Sequence, residues 1–428
     1  MMSGPIGFKV TEFVFDIRRF AAASPDRASR LGIWMLGFGQ TIIWAFIYYV
    51  FAALLLTWEQ TLGFAKAELT LGLTVAILAA AVTSPLAGRL IDAGRGRWVL
   101  GAGAMFGAAS LYGLSMVETP TGFVVIWALI GVAQGCALYE PCFSVVTRAL
   151  GAKARPGITR ITLLAGLAST LCFLSSSALL DFFDWRETVR IFAAASALLA
   201  APLLYFGALL IESAGKDAIP PSTASANKAA LRAAFRKPQF WLLALAFPLM
   251  ALNHGILLNH IMPLLAERNI PKDTAILIAS TFGPMQVAGR IALMLMDRRV
   301  NSLGATIAAF SVVCLAALIL WRAGGSVELT FLFAAMQGAA YGLTSILKPA
   351  ITAEFLGRVG FGAIAGWLAL TYLFGSAFAP HLGAIIWGIG GYDLVVPATA
   401  GFAALGALAM TGLAIAGRAG RAKERAEG

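Results

Sequence analysis

Arg290 is the only charged residue in the stretch 281–296. A charge inside an apolar run costs roughly 2.5–3.5 kcal/mol on insertion scales, so it must face a protein interior or a wet cavity. A guanidinium is a planar fork that grips a carboxylate through two parallel hydrogen bonds, most strongly where water is excluded. Gln286 lies one helical turn earlier on the same face and can donate to the same anion. The alternative for Arg290 is a structural ion pair with Glu140, the one acid set well inside an apolar run. Glu140 itself suits either a proton carrier or a fixed counter-ion to Arg290 or Lys348. His254 falls in the middle of another run, and imidazole exchanges a proton near neutral pH, so His254 is a candidate proton or substrate contact. His260 and His381 read as hydrogen-bonding partners within helices. Gln40, Trp44 and Tyr48 recur every four residues, as do Gln337 and Tyr341; such stripes either line a pocket or pack between helices. No histidine or cysteine pair has ligand spacing on one helix face, so no metal or cofactor is expected. Cys136, Cys142, Cys172 and Cys314 read as small apolar residues of the spans.

The elements that must hold these residues are membrane helices. The chain has 428 residues, 59% hydrophobic and 12% charged, with a mean hydropathy of +0.82, which excludes a soluble domain with a polar surface. Runs long enough to cross roughly 30 Å of hydrocarbon recur from Leu31 almost to the C-terminus. Twelve spans are expected, at 31–57, 68–90, 97–117, 121–149, 158–181, 188–212, 239–267, 274–296, 302–322, 327–350, 360–388 and 393–417. Residues 1–30 lack an apolar core ahead of a cleavage site and read as a cytoplasmic segment rather than a secretory signal. On this division 25 of the 32 lysines and arginines fall on the N-terminal side, six on the other, and Arg290 is the remaining one. The positive-inside rule therefore predicts an inner-membrane protein with both termini cytoplasmic, the tail being 418–428. The net charge of +11 follows from that topology and from anionic headgroups, so it does not argue for nucleic acid. Lys348, near a cytoplasmic helix end, is expected to snorkel.

The polar connection 213–238 predicts a linker between two six-helix bundles, 31–212 and 239–417. The halves repeat. Gln134-Gly135 recurs as Gln337-Gly338 after 203 residues, Leu150-Gly151 as Leu356-Gly357 after 206, and Ala165-Gly166 as Ala365-Gly366 after 200. Asp92, with Arg95 and Arg97 behind it, has its counterpart 205 residues on in Asp297, followed by Arg298. Two parallel repeats are the plan of a rocking transporter with its site at the repeat interface.

The segment Gly88-Arg-Leu-Ile-Asp92-Ala-Gly-Arg-Gly-Arg97 resembles the loop signature of the major facilitator superfamily. Physically, such a loop lets Asp92 meet a helix N-terminus while the arginines meet carboxylates or lipid phosphates, making a conformational latch. A solvated basic turn is the other reading. Further segments resemble the monocarboxylate porter branch and its oxalate–formate exchanger relatives: Leu62-Gly63 with Lys66-Ala67-Glu68-Leu69, Tyr139-Glu-Pro141, Arg155-Pro156 leading to Ala165-Gly166, His260-x-x-Pro263, and Gln286-x-x-x-Arg290. The resemblance implies a twelve-helix fold in two pseudo-symmetric bundles, with Arg290 taking a substrate carboxylate and spans one, four, seven and ten lining the cavity. The first span, Gly37-Phe-Gly-Gln40-Thr-Ile-Ile-Trp44, departs from the acidic signature of the animal carriers, and Gln286 stands where an acid would pair with the arginine. Gly131 replaces the arginine usual in proton-linked drug exporters.

The leading expectation is thus a monomeric secondary transporter, not an enzyme, that moves a small organic anion with a proton or against a counter-anion. Arg290, Gln286, Tyr139, His254, Gln40, Trp44 and Tyr341 are the expected substrate contacts, with Glu140 or His254 carrying the proton. Export of a neutral or cationic metabolite is the second reading, and a transporter-fold ligand sensor a third.

Overall fold

The computed structural model describes residues 19–214, 223–296 and 300–427. Without water to satisfy backbone groups, a spanning segment must close its hydrogen bonds internally, and every regular element among the described residues is a helix. The chain divides into two compact units. The first comprises Met1–Asn227 together with Arg358–Ala363; the second comprises Lys228–Gly357 and Ile364–Gly428.

In the first unit, α1 (Pro25–Trp44) passes through a π turn (Ala45–Tyr49) into α2 (Val50–Leu62). There follow α3 (Lys66–Leu90), α4 (Gly96–Leu114), α5 (Pro120–Ala137), α6 (Tyr139–Leu150), α7 (Ala154–Ala165), α8 (Ala168–Leu180), α9 (Trp185–Ala195) and α10 (Ala201–Ala214). After α11 (Ala224–Arg236), the second unit contains α12 (Pro238–Glu267), α13 (Lys272–Met296), α14 (Ser302–Ala323), α15 (Val327–Gly342), α16 (Thr344–Leu356) and α17 (Phe361–Glu427), whose first residues pack with the first unit.

Local chemistry sets the ends. Pro25, Pro120 and Pro238 sit in first turns, where the missing N–H costs nothing. Thr119, Asp184 and Ser326 accept from the backbone N–H groups of Gly122, Glu187 and Leu329. Gly63 ends α2 in the left-handed region at φ 66°, a conformation that penalises any Cβ.

Ten apolar helical stretches are long enough to cross a bilayer. Two of them, Glu68–Leu114 and Phe361–Ala416, have 47 and 56 residues. Each is broken by glycine: Gly94 at φ 77° in the first, and Gly390 and Gly391, the latter at φ 62°, in the second. Large apolar side chains such as Leu56, Leu198 and Leu295 face outward, as a lipid-facing surface requires.

The repeat marked in sequence has a packing counterpart. α3 lies against α5, and α13 lies against α15. A Cβ at Gly135 would sit 2.8 Å from the Ala80 carbonyl, and one at Gly338 would sit 2.7 Å from the Phe282 carbonyl. Each glycine therefore lets two backbones touch, the usual means of helix association in lipid. Aromatic edges fill the first core, where Trp58 meets Phe123 at 5.2 Å and Phe51 meets Trp127 at 5.0 Å. Phe282, Phe333 and Leu257 anchor the second.

The described part of the connection 213–238 is mainly helical. It forms α11, which buries Leu231 and Ala234. Phe235 packs on Phe240, Trp241 and Trp367, and the Trp241 Nε1–H donates to the Phe235 carbonyl at 2.8 Å. Small apolar residues every three or four positions in residues 224–236 make this possible.

Candidate substrate site and repeat-matched helix breaks

Both units contain a broken helix at the same place in the repeat. In the first, α5 stops at Ala137 and α6 starts at Tyr139, with Leu138 extended at φ −81°, ψ −158°. Pro141 explains the break: it lacks the N–H that would bond the Ala137 carbonyl, four residues back. The Gln40 amide fills the vacancy, its Nε2 donating to Ala137 O at 2.7 Å. In the second unit α15 ends at Gly342 and α16 begins at Thr344. There the Ile346 N–H turns to Leu343 O rather than to Gly342 O. The Gly342 carbonyl instead accepts from Arg290 Nε at 3.0 Å and from Ser345 Oγ at 3.2 Å. Freed carbonyls and half-helix ends near mid-membrane are where transporters place substrate.

Around the first break, Trp44 packs on Tyr139 at 4.7 Å and on Tyr48 at 4.8 Å, and Tyr139 stacks on Phe143 at 4.8 Å. Glu140, half-buried, sits in the first turn of α6, where a helix dipole favours negative charge. Gln40 is fully buried, and neither its Oε1 nor Trp44 Nε1 has a hydrogen-bond partner. The stripe at 40, 44 and 48 is not a regular helical row, because the π turn begins at Ala45 and rotates Tyr48 and Tyr49. A π turn leaves a carbonyl outside the regular ladder. Ile47 O takes the Gln134 amide at 2.7 Å.

Around the second break, Arg290 is 7% exposed and Gln286 flanks it, its Cα and Cβ facing Gly342. His254 stacks on Tyr341 with centroids 3.5 Å apart, and the Tyr341 hydroxyl lies 2.6 Å from that of Tyr372. His254 is buried, and its Nδ1 has no hydrogen-bond partner. Lys348 does not snorkel. It is 7% exposed, with its Nζ 4.1 Å from the Tyr372 ring centroid, because the π face compensates part of the charge that water would otherwise solvate.

Below these centres lie paired amides. Gln134 bonds Ile47, and Gln337 donates to Asn253 Oδ1 at 2.7 Å, while Asn253 donates to Thr399 O at 2.9 Å. Ile47 and Asn253 are 206 residues apart, so one repeat uses a backbone acceptor where the other uses a side chain. Sequence reasoning took the glutamines as repeat markers and missed Asn253 and Tyr372. Asn253 carried a signal in its offset from Ile47; Tyr372 carried none.

His260 is held by Tyr392 Oη at 3.3 Å and Pro380 O at 3.1 Å, and His381 is exposed.

Asp92 is buried, and its two oxygens accept the N–H groups of Gly362 at 2.9 Å and Ala363 at 2.8 Å, the opening turn of α17. Gly88 packs against the backbone of Gly362, where no Cβ fits. Arg97 pairs with Glu212 at 3.3 Å, whereas Arg95 is exposed. Asp297 and Arg298 lie outside the described residues.

The family model described as Major Facilitator Superfamily matches residues 31–321. No curated protein sequence matches the chain. Among solved structures, it is similar to the human organic anion transporter MFSD10 (TETRAN), with 17% identity, a TM-score of 0.67, and coverage of 89% of this chain and 99% of that one. It is similar to the E. coli fucose:proton symporter FucP, with 15% identity, a TM-score of 0.70, and coverage of 90% and 99%. A bacterial homologue of the iron transporter ferroportin gives 14% identity, a TM-score of 0.69, and coverage of 90% and 99%. At these identities the likeness is one of fold.

Proposed function

The chain belongs to the Major Facilitator Superfamily, and we propose that it is a secondary transporter that moves a small organic anion, a monocarboxylate by the residues it shares with that branch. Membership of this family indicates transport by alternating access rather than enzymatic chemistry.

The observation that carries the anion reading is the setting of Arg290: it is buried in α13, its Nε donates to the Gly342 carbonyl at the helix break, and Gln286 lies beside it. Lys348 is buried in α16 of the same unit. Burying cations in lipid-embedded protein is costly unless an anion or a wet cavity receives them. In this proposal Arg290, oriented through its Nε on the Gly342 carbonyl, takes the carboxylate with Gln286 beside it, and His254 and Tyr341 orient the rest of the molecule. In the first unit, Trp44, Tyr48 and Tyr139, with Gln40 near them, are further candidate substrate contacts. Glu140 or His254 carries the proton if the coupling is symport; anion exchange needs neither. The hold of Asp92 on the opening turn of α17 is the conformational latch, broken and remade in each cycle. The protein acts in the inner membrane with both termini cytoplasmic, as a monomer.

Replacing Arg290 tests this reading. Arg290→Lys keeps the charge and loses the fork, and Arg290→Ala loses both. Carboxylate uptake into proteoliposomes is expected to vanish in Ala and to fall at least tenfold in Lys, with insertion and folding intact. Uptake at the original rate by either variant would overturn the assignment.

A further inference from the structure

Away from both helix breaks, the first unit has a concavity of about 360 Å³ at the end of the bundle where α1 and α7 begin. Arg30, Lys153 and Arg160 line it, with Ser29 and one acid, Asp26. The three cations come from separate parts of the chain: α1, the turn after α6, and α7. All three are exposed, and among the described residues none of them pairs with a carboxylate. Asp26 lies in the first turn of α1, where the helix dipole already engages a negative charge. The opening turn of α7, through Gly157, forms part of the wall and adds its own positive end.

Positive-inside topology alone asks only for basic residues on one side of the membrane. It does not ask three of them to converge on one hollow walled by apolar residues such as Ile33. We propose that this hollow is a binding site for a phosphate monoanion or diester. Arg30 and Arg160 would grip its oxygens bidentately, Lys153 would act as a point charge, and the Ser29 hydroxyl would donate to a further oxygen. A size of about 360 Å³ suits a small ligand or headgroup. Its place at a helix-bundle end, where the bilayer surface passes, makes the headgroup of an anionic phospholipid one source and soluble phosphate the other.

The test uses the full-length protein in nanodiscs of phosphatidylcholine, with and without phosphatidylglycerol, and in phosphatidylcholine with inorganic phosphate alone. The thermal midpoint is expected to rise with the anionic ligand. The variant Arg30→Gln/Lys153→Gln/Arg160→Gln should lose most of that rise, while Arg232→Gln/Arg236→Gln/Lys237→Gln, altered at exposed basic residues outside the hollow, keeps it. A rise with phosphatidylglycerol only assigns the site to lipid; an equal rise with inorganic phosphate assigns it to the soluble ion. If the triple variant folds poorly, retention of phosphatidylglycerol on Arg160→Gln, counted by native mass spectrometry, gives the same reading. No rise with either ligand, or an equal rise in both triple variants, overturns the proposal.

Discussion

Arg290 and His254 differ in what holds them. Arg290 is anchored by a backbone acceptor, whereas His254 keeps a buried Nδ1 with no hydrogen bond, which ordinarily costs about 1–3 kcal/mol. A fold retains such a cost where a ligand supplies the partner. His254→Phe separates the two explanations, since a phenyl ring preserves the stack on Tyr341 and removes both nitrogens. Thermal stability is expected to stay level or rise slightly, while uptake of the anion falls at least tenfold through a raised KM. A variant that transports normally would make His254 a packing residue.

At the scale of elements, the broken spans carry the site, and their breaks have distinct causes. Pro141→Ala restores the N–H that would close the helix on Ala137, in competition with the Gln40 amide. The expected result is a straighter span four with stability equal to or above the original and much reduced transport, read by unfolding midpoint and uptake side by side. Pro141 made the first break legible in the sequence. The second was not legible, because Gly342 is one of 45 glycines, Leu343 favours helix, and the turn opens through the diversion of the Ile346 N–H. The π turn at Ala45–Tyr49 was hidden for the same reason: a one-residue change of ladder leaves no mark in hydropathy. Glycine spacing, by contrast, showed in the repeat, since Gly135 and Gly338 stand where backbones touch. The loop glycine and aspartate were readable too, and the aspartate's partner, the opening turn of α17, was foreseen as a class though not as residues. Each Asp92 oxygen accepts one N–H there, so Asp92→Asn leaves one of the two facing an amide nitrogen and loses the charge on the dipole, about 1–2 kcal/mol. Faster hydrogen exchange in the peptide holding Gly362 and Ala363 is the expected signature. Unchanged exchange would show that Asp92 does not hold that turn.

For the whole molecule, the number of crossings follows from length. At 1.5 Å per residue, continuous helices of 47 and 56 residues would be about 70 and 84 Å long, more than twice the hydrocarbon thickness of roughly 30 Å. Neither can cross once, so each must reverse, and the reversal belongs where glycine leaves the helical region, at Gly94 and at Gly390–Gly391. One reversal in each predicts twelve crossings, with the two reversals expected on opposite faces of the membrane and the first on the side of the N-terminus. Ala93 is exposed beside the first break, and Gly388 is exposed near the second with open space around its Cα. In a background with Cys136, Cys142, Cys172 and Cys314 replaced, Ala93→Cys should react with an impermeant maleimide only from the cytoplasmic face, in inverted vesicles. Gly388→Cys should react only from outside, in intact cells. Labelling of both from one face would contradict the twelve-span topology, and with it the placement of both termini in the cytoplasm. The opposite assignment of both, Ala93 outside and Gly388 inside, would keep twelve spans and reverse the protein in the membrane, against the excess of lysine and arginine on the N-terminal side.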